Sequence, residues 1–218
     1  MKKETKRYKA LVEKAKGLFE SYESKFNPYK GPNLHYENML RYGDLRKQQG
    51  AEFNADAYKV AVWLHDIGHY VPALGEDLGN TDYKKREIHK KKGVDIFNKE
   101  FRKHLDDSDL EEKIYACIKY HSGPLDEQGE EYLRKHPELQ LIREADRISF
   151  LHPNFAEHNL KYATDKKKLS DFERVVQHNY DELVNVVKPT PEGLEVAEEW
   201  KAESDELVSQ HKLKGERA

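Results

Sequence analysis

The sequence predicts an all-α protein, on three observations. Helical periodicity runs nearly from end to end, and no segment shows the strict apolar–polar alternation of a half-buried strand. Charged residues (36%) almost equal hydrophobic ones (37%). That balance suits amphipathic helices with solvated outer faces better than the thick core of an α/β protein. The 218 residues are ample for a buried core and fit one helical domain over 1–218.

Residues 3–25 read as a first helix, ended by the turn-rich NPYKGPN. Asn33 is placed to cap a second helix running to about Gln49, before the glycine of QQGAEF. A third starts near Ala55 and carries KVAVWLHDIGHY; it is apolar on several sides, which marks it as central. VPALGEDLGNTD reads as a loop whose Asn-Thr-Asp could cap the next helix. A long basic helix is expected over 83–104, a shorter one over 109–121, and a turn at SGPLDEQGEE. Another helix should cover 137–152, with Pro153 marking its end. The C-terminal extension, about 154–212, reads as two or three amphipathic helices interrupted at KPTPEG.

Composition narrows the function classes. With 38 basic and 41 acidic residues the formal charge is −3, which gives no reason to propose nucleic acid or anionic lipid as a partner. Cys117 is the only cysteine, so neither an intrachain disulfide nor a thiolate cluster can form. Its apolar helical setting reads as a small buried thiol. The N-terminus lacks the apolar core of a signal peptide, and no window approaches the ~20 apolar residues of a membrane span. A cytoplasmic setting is the expectation.

The informative histidines lie on apolar faces. His104, His136, His178 and His211 have polar neighbours and read as solvated surface groups. His121 falls on the stripe of Ile114, Cys117 and Ile118, and Asp146 shares a face with Ile142 and Phe150. A buried carboxylate is costly unless paired or metal-bound, so Asp146 implies a cation: a metal ion, or one of the many lysines and arginines, such as Arg143 or a residue on a facing helix. His65 and Asp66 close the apolar run Val60-Ala61-Val62-Trp63-Leu64 and together offer an imidazole nitrogen and a carboxylate oxygen, a pair that suits a divalent metal. Gly68 lets another backbone or a substrate come close. His69 shares the face of His65 if the helix continues that far.

His35, then His65-Asp66 within WLHDIGHY, then Asp146 within EADRISFL, resembles the H…HD…D signature of the HD-domain metal phosphohydrolases. The resemblance covers about residues 30–155. It implies a helical bundle around a metal pocket, with His35, His65, Asp66 and Asp146 as ligands. Its implied reaction is hydrolysis of phosphate esters or nucleotides by a metal-activated water or hydroxide. His89 in REIHKKKG and His121 in IKYHSG match an extended form of the pattern. In binuclear relatives histidines in these places bind a second metal, bridged by the HD aspartate; in some mononuclear ones a histidine near His89 assists protonation. The presence of both favours two ions. Imidazoles mixed with hard oxygens suit Mn, Fe, Co or Ni better than an all-oxygen magnesium cage.

Asp66, His69 and His89 are thus the candidate catalytic residues. Arg86 and Lys92 flank His89 at one turn either way and are candidates to bind substrate phosphate, with Gly93 allowing close approach. The continuation IGHYVPALGED departs from the acidic pair of alarmone hydrolases and from the Pro-Phe-x-His of dNTP triphosphohydrolases. It carries His69 where many cyclic-dinucleotide phosphodiesterases have lysine. None of those substrates carries over. A diiron oxygenase built on the same ligand types, or a non-catalytic metal-binding or sensing module, is the alternative. The expected partner is a small phosphorylated or nucleotide substrate. The charged terminal helices could cover the core or form a homodimer face.

Overall fold

The computed structural model describes residues 2–26, 33–70, 83–163 and 166–215. In chain order the helices are α1 (Lys2–Phe26), α2 (Leu34–Gln48), α3 (Ala55–Leu64), α4 (Tyr83–Ile96), α5 (Ser108–Tyr120), α6 (Glu127–Lys135), α7 (Pro137–Ile148), α8 (Pro153–Leu160), α9 (Lys166–Glu182) and α10 (Pro191–Gly215). No strand occurs among the described residues, so the protein is all-α. The segments 27–32 and 71–82, expected to be a turn and a capping loop, lie outside the described residues.

The chain forms two compact units. One comprises 1–32 and 50–143, the other 33–49 and 144–218. In the first, α3 is the buried strut: Ala57, Tyr58, Val60, Ala61, Val62, Trp63 and Leu64 are all buried, and the helix packs against α1 and α5. Asn54 starts it, its side-chain oxygen accepting from the backbone N–H groups of Asp56 (3.1 Å) and Ala57 (3.0 Å). On α5 the stripe Leu110, Ile114, Cys117 and Ile118 is buried, as its spacing predicts. Burial pushes the Cys117 thiol well above its usual pKa, consistent with a packing role.

In the second unit α8 packs against α2 and α10. Tyr42 donates to the carboxylate of Glu144, whose other oxygen accepts from the Thr190 N–H at the start of α10 (2.8 Å). Pro191 takes the first position of α10, where a missing N–H costs nothing. No described helix is long and apolar enough to cross a membrane.

Several boundaries differ from expectation. Glu127–Lys135 is helical rather than a turn, because Asp126 caps it through the Gly129 N–H (2.7 Å). The basic helix stops as α-helix at Ile96 and goes on as a π turn (Phe97–Phe101) and a 3-10 turn (Arg102–His104). α7 ends at Ile148, and Pro153 opens α8 instead of closing α7, since its fixed φ suits a first helical position. Asn33 occupies the cap position of α2 but makes no side-chain cap hydrogen bond. His136, expected at the surface, is buried beside Tyr132 (ring centroids 5.7 Å apart).

Candidate metal centre

The first unit gathers His65, Asp66, His69, His89 and His121. His65 and His121 occupy the same local position, the residue just past the last turn of α3 and of α5. Each turns Nδ1 onto a carbonyl three residues back, Val62 for His65 (2.8 Å) and Ile118 for His121 (3.0 Å). A carbonyl only accepts, so Nδ1 carries the proton in both rings and each Nε2 presents a lone pair. The end of α5 is fixed by two buried cations. Arg143 donates to the carbonyls of Tyr120 (2.7 Å) and Gly123 (2.9 Å), and Lys90 donates to that of Ser122 (3.2 Å). Cations at these carbonyls are favourable because the helix C-terminus carries partial negative charge.

Asp66 divides its carboxylate between two groups of imidazoles. Oδ2 lies 3.3 Å from His65 Nε2, while Oδ1 lies 3.3 Å from His121 Nε2, 3.5 Å from His89 Nε2 and 3.4 Å from His69 Nε2. The Nε2 atoms of His89 and His121 are 3.1 Å apart. A ligand distance of ~2.1 Å gives edges of ~3.0 Å in an octahedron and ~3.4 Å in a tetrahedron, so this spacing fits ligands of a single ion. Asp66, His89 and His121 could therefore hold a metal. The combination of imidazole nitrogens with a carboxylate oxygen is a donor set that fits a divalent transition metal.

His69 belongs to a 3-10 turn (Ile67–Tyr70), not to a continuing α-helix. Winding at three residues per turn carries it over Asp66 instead of onto the face of His65, and its ring stacks on His89 at 3.9 Å. His69 is also the most exposed of the five, at 25% of its side chain. Burial, then the mutual repulsion of imidazoles against the pull of Asp66, holds His89 down to about 2, so it stays neutral near pH 7. Burial pushes the Asp66 carboxyl up, but the surrounding imidazoles of His65, His69 and His121 outweigh it and hold the group well below the usual range.

The close approach that Gly68 was expected to permit is to α4. A Cβ there would sit 1.9 Å from the His89 carbonyl oxygen and 2.7 Å from the Gly93 nitrogen. Gly93 on α4 is also closely packed: a Cβ on it would meet Ile118 Cγ2 of α5 at 3.2 Å and lie 3.8 Å from the Gly68 nitrogen. Lys92 stands half-buried on α4, one turn beyond His89. The side chain of Arg86 lies outside the described residues.

The second unit holds His35 and Asp146. His35 Nε2 is 3.6 Å from Asp146 Oδ1. Ser149 Oγ donates to the Asp146 carbonyl (2.9 Å) and so has a lone pair to accept from His35 Nδ1 (2.7 Å). Phe150 stacks on the His35 ring at 4.6 Å. The arginine beside Asp146 is Arg147, whose Nη2 donates to Oδ2 at 2.9 Å; Arg143, the residue suspected from sequence, is spent on the end of α5. Ser149, Arg147 and Lys90 were not singled out from sequence. Only Ser149 carried a usable signal, a hydroxyl one helical turn past Asp146.

Helices that bring several imidazoles around one carboxylate form a cluster that could hold a metal ion. The family model described as HD domain matches residues 35–151, more than half of the chain, and the chain belongs to that family. No curated protein and no solved structure matches it.

Proposed function

We propose that the protein is a metal-dependent phosphohydrolase acting on a small phosphate ester or nucleotide. In this reading His35, His65, Asp66 and Asp146 hold one divalent transition-metal ion, and Asp66, His89 and His121 hold a second. The observation that carries it is the divided carboxylate of Asp66, one oxygen toward His65 and the other toward His89 and His121. Membership of the HD family supports the class of reaction. Such ions supply Lewis acidity toward phosphoryl oxygens and lower the pKa of water enough for attack near neutral pH.

The chain's own residues do the rest. The Nδ1 contacts of His65, His121 and His35 fix each tautomer, so no proton must leave a ring before it ligates. His89, neutral and buried, acts as a ligand rather than a proton donor. His69, partly exposed and over Asp66, is placed to pass a proton to the leaving oxygen. Arg86 and Lys92 of α4 are the proposed cations for substrate phosphate.

The test is metal analysis of anaerobically purified protein, followed by a phosphatase and nucleotide panel with Mn added back. The wild type should bind two ions per chain, and His121→Ala should bring that toward one with turnover down by orders of magnitude. His65→Ala should lose metal and activity while keeping helix content. Two results would sink the reading. One is a metal-loaded protein inert on every phosphate ester that instead consumes dioxygen with its iron reduced. The other is His65→Ala with full occupancy and turnover.

A further inference from the structure

We propose that α9, through Asn179 and Glu182, is a positioning element for the metal-binding carboxylate of Asp146, acting by way of Arg147. The inference rests on the reading that Asp146 ligates an ion. It concerns residues well beyond the HD match, which ends at 151.

The geometry forms a relay within one unit. Arg147 Nη2 donates to Asp146 Oδ2 (2.9 Å). The other end of the fork, Nη1, donates to Asn179 Oδ1 (3.1 Å) and lies 3.2 Å from Glu182 Oε2. Asn179 Nδ2 donates to the Val175 carbonyl (2.9 Å), which fixes the amide so that its oxygen, not its nitrogen, faces the guanidinium. The side chains are little exposed: 6% for Asp146, 14% for Arg147 and 15% for Glu182. Contacts this sheltered are not the loose surface pairs that contribute little.

Two consequences follow, one geometric and one electrostatic. With Oδ2 held by the guanidinium, Oδ1 is the oxygen left toward His35 Nε2 at 3.6 Å, so the carboxylate presents one defined donor. An arginine alone beside Asp146 would cancel the charge that attracts a cation. Glu182 neutralises the guanidinium and restores a net negative charge to the trio. Removing the Glu182 charge leaves Asp146 alone to balance Arg147, so the pair becomes neutral and attracts a cation less.

Mn²⁺ binding to the metal-stripped full-length chain, measured by calorimetry beside circular-dichroism melts without metal, tests this. Glu182→Gln should weaken the Asp146-dependent Mn²⁺ site about 10–100-fold, the usual cost of losing an outer partner of a ligand. Glu182→Asp should recover part of that loss, and Asn179→Ala should weaken binding by less than Glu182→Gln. A purely structural role for α9 would instead lower the metal-free melting temperature and leave the affinity alone; unchanged Mn²⁺ affinity in Glu182→Gln overturns the proposal. Asp146→Ala separates the two ideas. If it binds Mn²⁺ like the wild type, the ligand assignment itself is wrong. If it loses a site and Glu182→Gln still weakens what remains equally, α9 acts elsewhere and the relay is refuted.

Discussion

The two units aim their donor atoms by different means. In the unit of residues 1–32 and 50–143, His65 and His121 are oriented by their own helices, each ring proton going to a backbone carbonyl three residues back. In the unit of 33–49 and 144–218, His35 and Asp146 are oriented by side chains, Ser149 and Arg147. A carbonyl cannot be mutated away, whereas a hydroxyl or guanidinium can. The donor set of the first unit should therefore fail only through its backbone or its ligands, and that of the second should be tunable by single side-chain changes.

The largest expected effect strikes the backbone of the first unit. In Gly68→Ala the new methyl would overlap the His89 carbonyl oxygen at 1.9 Å, and neither backbone can yield like a flexible side chain. We expect a loss of about 4 kcal/mol or more, in the range kept for severe core faults. Gly93→Ala, pressed only against Ile118 Cγ2 at 3.2 Å, should cost about 1–3 kcal/mol. Urea melts of both variants give the comparison; equal and small losses would mean that the Gly68 crossing is not tight.

Next in size is a pH effect that belongs to the first unit. His89 is held down to about 2 in the folded chain, against an ordinary 6.5. Between those values the unfolded chain binds a proton that the folded one refuses, so the stability is fully present above about 6.5 and drains away as pH falls toward 2. The slope is up to ~1.4 kcal/mol per pH unit for one such site. Asp66, also held low, adds its own loss only below the ordinary carboxylate range, near ~3.9, which keeps the two apart. Metal-free protein melted in urea at pH 7.5 and 5.5 should show the drop, and His89→Asn should flatten it.

Much of this was legible from residue types and spacing, and what was not has physical causes. The buried α3 and α5, and the polar residues set into apolar faces, follow from a period that several turns repeat. The 3-10 turn at Ile67–Tyr70 is too short for a period of three to be told from one of 3.6, so the place of His69 over Asp66 could not be read. Glu127–Lys135 hid behind Pro124 and Gly129, residues that normally signal a turn. The partner of Asp146 was sought at Arg143, one turn back; adjacent residues on a helix do not face each other, yet the long Arg147 side chain reaches around to Oδ2. His136 has charged sequence neighbours and is nonetheless buried, because burial is set by packing rather than by the next residue along.

Smaller again is the effect of Ser149→Ala, which tests the side-chain half of the comparison. It removes the acceptor on His35 Nδ1 and with it the fixed tautomer, while the hydrogen bond from the Asn38 side-chain amide to the Ser149 carbonyl (3.1 Å) is kept. Mn²⁺ affinity should fall about 10–100-fold with helix content unchanged. An affinity like the wild type's would show that packing against rings such as Phe150 and Tyr36 is enough to aim the His35 ring.

The smallest expected effect compares two asparagines at helix starts, one in each unit. Asn54 caps α3 with two backbone N–H groups on its side-chain oxygen, at 3.1 and 3.0 Å. Asn33 stands before α2 at φ −74° and ψ 46°, away from the extended conformation that aims a capping side chain, and makes no such bond. Asn54→Ala should therefore cost about 1 kcal/mol, the usual value of a cap, through two orphaned donors at the head of the buried α3. Asn33→Ala removes no cap bond and should lie within about 0.5 kcal/mol of the wild type, as surface changes away from special features do. Paired urea melts decide it. If Asn33→Ala costs as much as Asn54→Ala, a capping bond forms at α2 in solution, and the backbone there is closer to an ordinary helix start than its ψ of 46° implies.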